Sequence, residues 1–184
     1  MRSKFHLVSL VLLVFGFSSC GRRVTANPVA ELLAGKRAAV FVFLAPDCPL
    51  SQNYTLTLNN LDKEFAGKGL GFYGIFSGDG ITKDAMDTFV STYHVGFRVV
   101  LDSGLKFADY FAATTTPEAF VTDSAGQTLY KGAIDDWAPE LGAHRTVITH
   151  HYLEDAIEGV TANKPVQVRQ TPAVGCFIER KNSD

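Results

Sequence analysis

Residues 38–53, Ala38-Ala-Val-Phe-Val-Phe-Leu-Ala-Pro-Asp-Cys-Pro-Leu-Ser-Gln-Asn53, decide how the rest of the chain is read. Ala38–Leu44 is an unbroken apolar run of strand length, as expected for a central strand covered on both faces. Ala45-Pro46-Asp47 ends it and Cys48 follows. Pro49 suits the first position of a helix, where its missing N–H costs nothing. Apolar residues then recur at Leu50, Tyr54, Leu58, Leu61 and Phe65, at steps of four, four, three and four, which is one face of an amphipathic helix. Gly67 and Gly69 stop it. A buried strand therefore feeds a helix through a short turn, with a thiol at the joint. First-turn N–H groups and the helix dipole favour a thiolate there, while Asp47 opposes it if its carboxylate lies close. The plainer alternative is a small, buried, unreactive cysteine.

Working outward, Val29–Leu33 reads as a short helical turn. Leu70–Phe76 is a second strand, followed by the loop Ser77-Gly78-Asp79-Gly80. Thr82 caps a helix across Lys83–Tyr93, with Ala85, Met86, Phe89 and Val90 turned inward. Phe97–Leu101 is a short strand, and Leu105–Phe111 a short helix before the run Thr114–Thr116. Ala119–Asp123 and Thr128–Lys131 form a hairpin around Ser124-Ala125-Gly126-Gln127. The spacing predicts a last helix over Val147–Val160, with Leu153, Ala156, Ile157 and Val160 inward. Strands alternating with helices imply parallel pairing, and the late hairpin adds an antiparallel edge. The fold class is α/β, a mixed sheet with helices on both faces.

The N-terminus carries a different signal. Arg2 and Lys4 precede an apolar run, Leu7–Phe17, too short to span a bilayer as a helix; with the small residues after it, this is a secretory signal. Ser18-Ser19-Cys20-Gly21 resembles a bacterial lipobox, in which Cys20 is acylated. Plain cleavage and an uncleaved anchor are the alternatives, since Phe17 stands where Leu is usual. Residues 1–20 are thus expected to be a lipoprotein-type signal, 21–37 a tether and lead-in, 38–160 the folded domain and 161–184 a tail. The net charge of −2 gives no basic footprint for nucleic acid. Of three cysteines, two remain beyond Cys20 in a chain routed to an oxidising compartment. Cys48 and Cys176 are either a disulfide pair or a reactive cysteine and its partner.

Other candidates have plainer readings. His150 and His151 are adjacent and would point about 100° apart on a helix, so they do not share a metal easily. With His144 they read as surface or capping residues, and no metal site is expected. Asp135, Asp136 and Trp137 read as a solvated acidic turn. Thr116-Pro117 read alone is an ordinary trans loop proline.

Three segments, LAPDCPLSQNY from Leu44, TTPEAFVTDSAGQTLYKGAIDD from Thr115 and TPAVGC from Thr171, together resemble the thioredoxin-fold redoxins, specifically the redoxin or peroxiredoxin-like proteins of bacterial envelopes. The resemblance implies a thioredoxin-like three-layer α/β/α sandwich. It also implies a cis bond at Thr116-Pro117, packed beside Cys48 and shaping, with Pro49 and Ser51, a groove where a substrate backbone docks. It places the Asp135–Trp137 loop where it could border that groove. Two departures matter. Ser51 stands where thioredoxins carry the second cysteine of Cys-x-x-Cys, and a hydroxyl cannot resolve a mixed disulfide. Phe41 and Ala45 stand where peroxiredoxins carry a Pro and a Thr or Ser, so the hydroxyl that would orient a peroxide is missing.

The expectation is a lipid-anchored thiol-disulfide oxidoreductase of the bacterial cell envelope, facing the periplasm or exterior. Cys48 would be its nucleophile and Cys176 its possible resolving thiol. Its partners would be a protein or small-molecule disulfide or a peroxide, together with an external thiol reductant, and no cofactor is implied. A peroxiredoxin-like thiol peroxidase and a non-catalytic binding lipoprotein of the same fold are the competing readings.

Overall fold

A computed structural model describes residues 27–181. The signal segment, Cys20 and the first part of the tether lie outside the described residues. Seven strands and five helices follow in the order α1 (Ala30–Leu33), β1 (Ala38–Leu44), α2 (Pro49–Glu64), β2 (Leu70–Phe76), α3 (Lys83–Thr92), β3 (Arg98–Leu101), α4 (Lys106–Phe111), β4 (Thr115–Thr116), β5 (Glu118–Asp123), β6 (Thr128–Gly132), α5 (Tyr152–Thr161) and β7 (Cys176–Phe177).

The main sheet has the order β3-β2-β1-β5-β6. β1 pairs parallel with β2 and antiparallel with β5, and the β5–β6 hairpin closes one edge. This is the mixed sheet of the thioredoxin-like fold. β1 lies at its centre, and every residue of it is buried. Because side chains alternate along a strand, Val40, Val42 and Leu44 enter one core with Leu58 and Leu61 of α2, Met86 and Phe89 of α3 and Leu153 and Ile157 of α5. Ala39, Phe41 and Phe43 enter a second core with Leu32 and Leu33 of α1 and Ala108 and Phe111 of α4. Two helical layers therefore enclose the sheet, and the unbroken apolar run of β1 is what an element serving two cores requires.

The expected boundaries hold for β1 and β2 and for the caps of α2 and α3. The Thr82 hydroxyl accepts the Ala85 N–H at 3.1 Å, and Gly67 and Gly69 turn the chain after α2 at φ of +79° and +76°. The last helix is shorter than its spacing predicts, beginning at Tyr152 rather than Val147. Asp136 is the reason. Its carboxylate accepts the Thr149 N–H at 2.8 Å, the Thr149 hydroxyl at 2.6 Å and the His150 N–H at 3.2 Å. The Asp136 N–H in turn donates to the His150 carbonyl at 3.1 Å. The His150 N–H and carbonyl, which an earlier helical turn would use, are already committed, and Val147 is exposed.

The tail does not trail away from the domain. At β6, the Lys131 N–H donates to the Arg169 carbonyl at 3.0 Å and the Thr171 N–H to the Lys131 carbonyl at 3.1 Å. β7 then pairs antiparallel with β4. Farther on, the Ile178 N–H donates to the Thr114 carbonyl at 2.9 Å, the Asp79 N–H donates to the Glu179 carbonyl at 3.0 Å, and Arg180 pairs with Asp109. The tail is a strap across one end of the sheet. Among the described residues, no helix is long and apolar enough to cross a membrane.

Candidate functional site

Cys48 is the N-cap of α2, in extended conformation, with Pro49 at the first helical position. The turn before it is held from both ends. The Cys48 N–H donates to the Ala45 carbonyl at 3.3 Å, the Gln52 side-chain amide donates to the Pro46 carbonyl at 2.9 Å, and the Ala45 N–H donates to the Ser51 hydroxyl at 3.2 Å. Ser51 is buried, so its hydroxyl braces the strand-to-helix turn rather than lining an open groove as expected. Pro49 is exposed, whereas Thr116 and Pro117 are buried.

The Cys48 side chain is 0 % exposed, among Leu50, Ala138, Ala45, Trp137, Val174 and Cys176. As a thiol it donates to the Thr116 carbonyl at 3.0 Å, and the Thr116-Pro117 bond is cis. In the pairing of β4 with β7, Cys176 lies directly opposite Thr116, and the Thr116 hydroxyl donates to the Cys176 carbonyl at 3.4 Å. The fold therefore brings Cys48, Thr116, Pro117 and Cys176 to one place, with both cysteines as free thiols.

The two thiols differ in electrostatics. Burial alone would raise the Cys48 pKa. The Cys176 thiol, the Ser51 and Cys176 N–H groups and the Thr116 hydroxyl outweigh that cost by donating to the anion, so the value lies below the ordinary thiol range. Cys176 is pushed up to about 12, first by burial, then by its hydrogen bond to Cys48 and by repulsion from the Cys48 thiolate and from Asp47. Asp47 is exposed and acts on the second thiol. The arrangement can present one sulfur as a nucleophile and keep the other as a proton donor beside it.

The acidic loop after β6 is not a solvated turn. Asp135 is buried and accepts the Tyr54 hydroxyl at 2.5 Å and the Trp137 N–H at 2.9 Å. Trp137, which helps cover Cys48, meets Tyr54 edge-on at 5.5 Å and stacks on His144 at 5.6 Å. The Tyr54 phenol is raised well above its usual range by burial and by Asp135. An apolar stripe residue is thus also a hydrogen-bond donor to the site wall, and helical spacing carries no sign of that. His150 and His151 precede α5 instead of lying on it, and His151 is its N-cap residue. Among the described residues no group of three or more His, Cys, Asp or Glu is placed to hold a metal.

Gly175 was not singled out by its sequence context, yet it sets the approach of the strap. A Cβ there would stand 2.0 Å from the Thr116 carbonyl oxygen, so only glycine lets β7 lie this close to β4. At the other contact, a Cβ on Gly132 would stand 2.3 Å from the Thr171 carbonyl oxygen.

Comparison with known proteins fits this geometry. The Redoxin family model matches residues 20–141. A hypothetical protein from Sinorhizobium meliloti 1021 is similar at 28 % identity and TM-score 0.71, over 82 % of each chain. An uncharacterized conserved protein from Geobacillus kaustophilus is similar at 25 % identity and TM-score 0.71, over 81 % of this chain and 80 % of its own. A thioredoxin-like protein solved in its oxidised form shares the fold at 16 % identity and TM-score 0.54, over 71 % of this chain and 81 % of its own. No curated protein matches.

Proposed function

This chain belongs to the Redoxin family, and from that premise we propose that it is a thiol-disulfide oxidoreductase with Cys48 as nucleophile and Cys176 as resolving thiol. The observation that carries the reading is the contact of two cysteines far apart in sequence, one favoured as thiolate and the other held protonated. In the first step the Cys48 thiolate attacks one sulfur of a disulfide. A Cys48–sulfur bond forms, the substrate S–S bond breaks and one thiolate leaves. Cys176 then gives its proton to the thiolate released in the first step and attacks the Cys48 sulfur, which releases the second thiolate and leaves a Cys48–Cys176 disulfide. The substrate has gained two electrons and the cysteine pair has lost two. An external thiol reductant restores the pair.

Position 45, where the resemblance to peroxiredoxins would put a Thr or Ser hydroxyl, is Ala. Mass spectrometry under non-reducing conditions tests the main reading. After mild oxidation the protein is expected to lose two hydrogens at Cys48 and Cys176 and to regain them with a thiol reductant. Two free thiols after oxidation would sink the two-cysteine cycle, and steady turnover of hydrogen peroxide through a Cys48 sulfenic acid would favour the peroxidase.

The same proposal places the protein in the bacterial cell envelope, tethered by acylation of Cys20, because a short apolar run followed by Ser-Ser-Cys-Gly suits that processing. Expressed in a bacterial host, the chain is expected to take up labelled palmitate and to lose the label in Cys20→Ser. Label retained in that variant would remove the tether from the proposal.

A further inference from the structure

Where the strap meets Cys48, its geometry is that of a docked ligand. An extended segment that adds a strand to a free edge draws affinity from main-chain hydrogen bonds and specificity from alternate side chains. β7 has both features. It pairs antiparallel with β4, and Cys176, opposite Thr116, brings its sulfur to Cys48. Its neighbour Phe177 is 84 % exposed, on the other side of the strand. The strap is anchored on both sides of this contact. Before it, the Thr171 hydroxyl meets the Tyr130 hydroxyl at 2.7 Å and accepts the Ala133 N–H at 3.0 Å. After it come the Ile178–Thr114 and Asp79–Glu179 main-chain bonds and the pairing of Lys181 with Asp79 at 3.3 Å.

We infer that the tail is a built-in occupant of the edge a cysteine-bearing extended polypeptide would need, and that the substrates of Cys48 are low-molecular-weight disulfides. The inference rests on the reading of Cys48 as nucleophile. A polypeptide that docks as a strand has to replace β7, which means lifting residues 176–178 out of their main-chain bonds. A small disulfide has to displace only side chains at the rim, and both Trp137 and Val174 are partly exposed. Its two sulfurs leave as two thiolates in the steps given above, and no strand need open. Cys176 stays beside Cys48 throughout and resolves the mixed disulfide at once.

The test compares two probes on the reduced full-length protein. One is oxidised glutathione. The other is an unstructured peptide whose central cysteine is in mixed disulfide with glutathione, so that both probes offer the same leaving thiol. The readout is the rate at which free Cys48 and Cys176 are consumed. If the edge is open less than about a tenth of the time, strand docking slows in proportion, so the glutathione probe is expected to react at least about tenfold faster than the peptide. Gly175→Val forces a side chain onto the Thr116 carbonyl and should lift β7. The ratio between the two probes is then expected to fall toward one, with faster amide exchange at Cys176–Ile178. Equal rates with the wild type would overturn the inference. So would an unchanged ratio in the variant once amide exchange shows β7 released. If neither probe reacts with either protein, Cys48 is not a nucleophile and the functional reading fails with the inference.

Discussion

Cys48 is the more deeply buried of the two thiols, yet it is the one that ionises more readily. Desolvation acts against its anion, but four donors converge on the sulfur, two of them from Cys176. Linkage gives each thiol a definite sign. The lowered Cys48 value means that its contribution to stability is present above the ordinary thiol range and is lost as pH falls through the folded value. The raised Cys176 value means that its contribution is present below the ordinary range and is lost as pH rises toward about 12. The reduced protein is therefore expected to gain thermal stability with pH between the Cys48 value and the ordinary thiol range, and to lose it beyond. Ultraviolet thiolate absorbance should resolve two separate steps, with the lower one moving up in Cys176→Ser. A single step in the ordinary range, for both thiols together, would contradict the electrostatic assignment.

At the scale of elements, β1 lies at the centre of the sheet and, like β2 and β5, packs into both cores. Phe41 stacks on Tyr73 at 5.3 Å and meets Phe111 at 5.0 Å, and it is wholly buried. Phe41→Ala would leave a cavity that a central strand cannot collapse to fill. It is expected to cost about 3–5 kcal/mol, a large share of a single domain's stability. Urea unfolding measures this, and a loss below about 1 kcal/mol would mean that the second core repacks freely. Position 41 is also where a peroxiredoxin would carry proline, so here the residue belongs to the core rather than to a peroxide pocket. α5 shows the opposite relation between spacing and outcome. Its apolar spacing extends toward Val147, but the side chain of Asp136 takes the backbone groups that a longer helix would have used. Local propensity yields there to a tertiary contact.

For the whole molecule, the residues that repeat at short range were enough to determine the layers. The apolar run of β1, the four-residue steps of α2, the Thr82 cap and the Gly126 turn each act within a few residues, and their elements form where the pattern puts them. The strand-to-helix joint also made Cys48 legible as a thiol at a helix start. The position of Cys176 had no such local signal. It depends on main-chain pairing with Thr115 and Thr116 and on the missing Cβ of Gly175, contacts made across about 60 residues of chain that leave no periodic trace. The same holds for Asp135, which looks solvated beside Asp136 until Tyr54 and Trp137 close over it. Short-range pattern determined which elements form and where a thiol stands. The tertiary structure alone decided what that thiol touches, because burial and hydrogen bonding at the site come from residues distant in sequence.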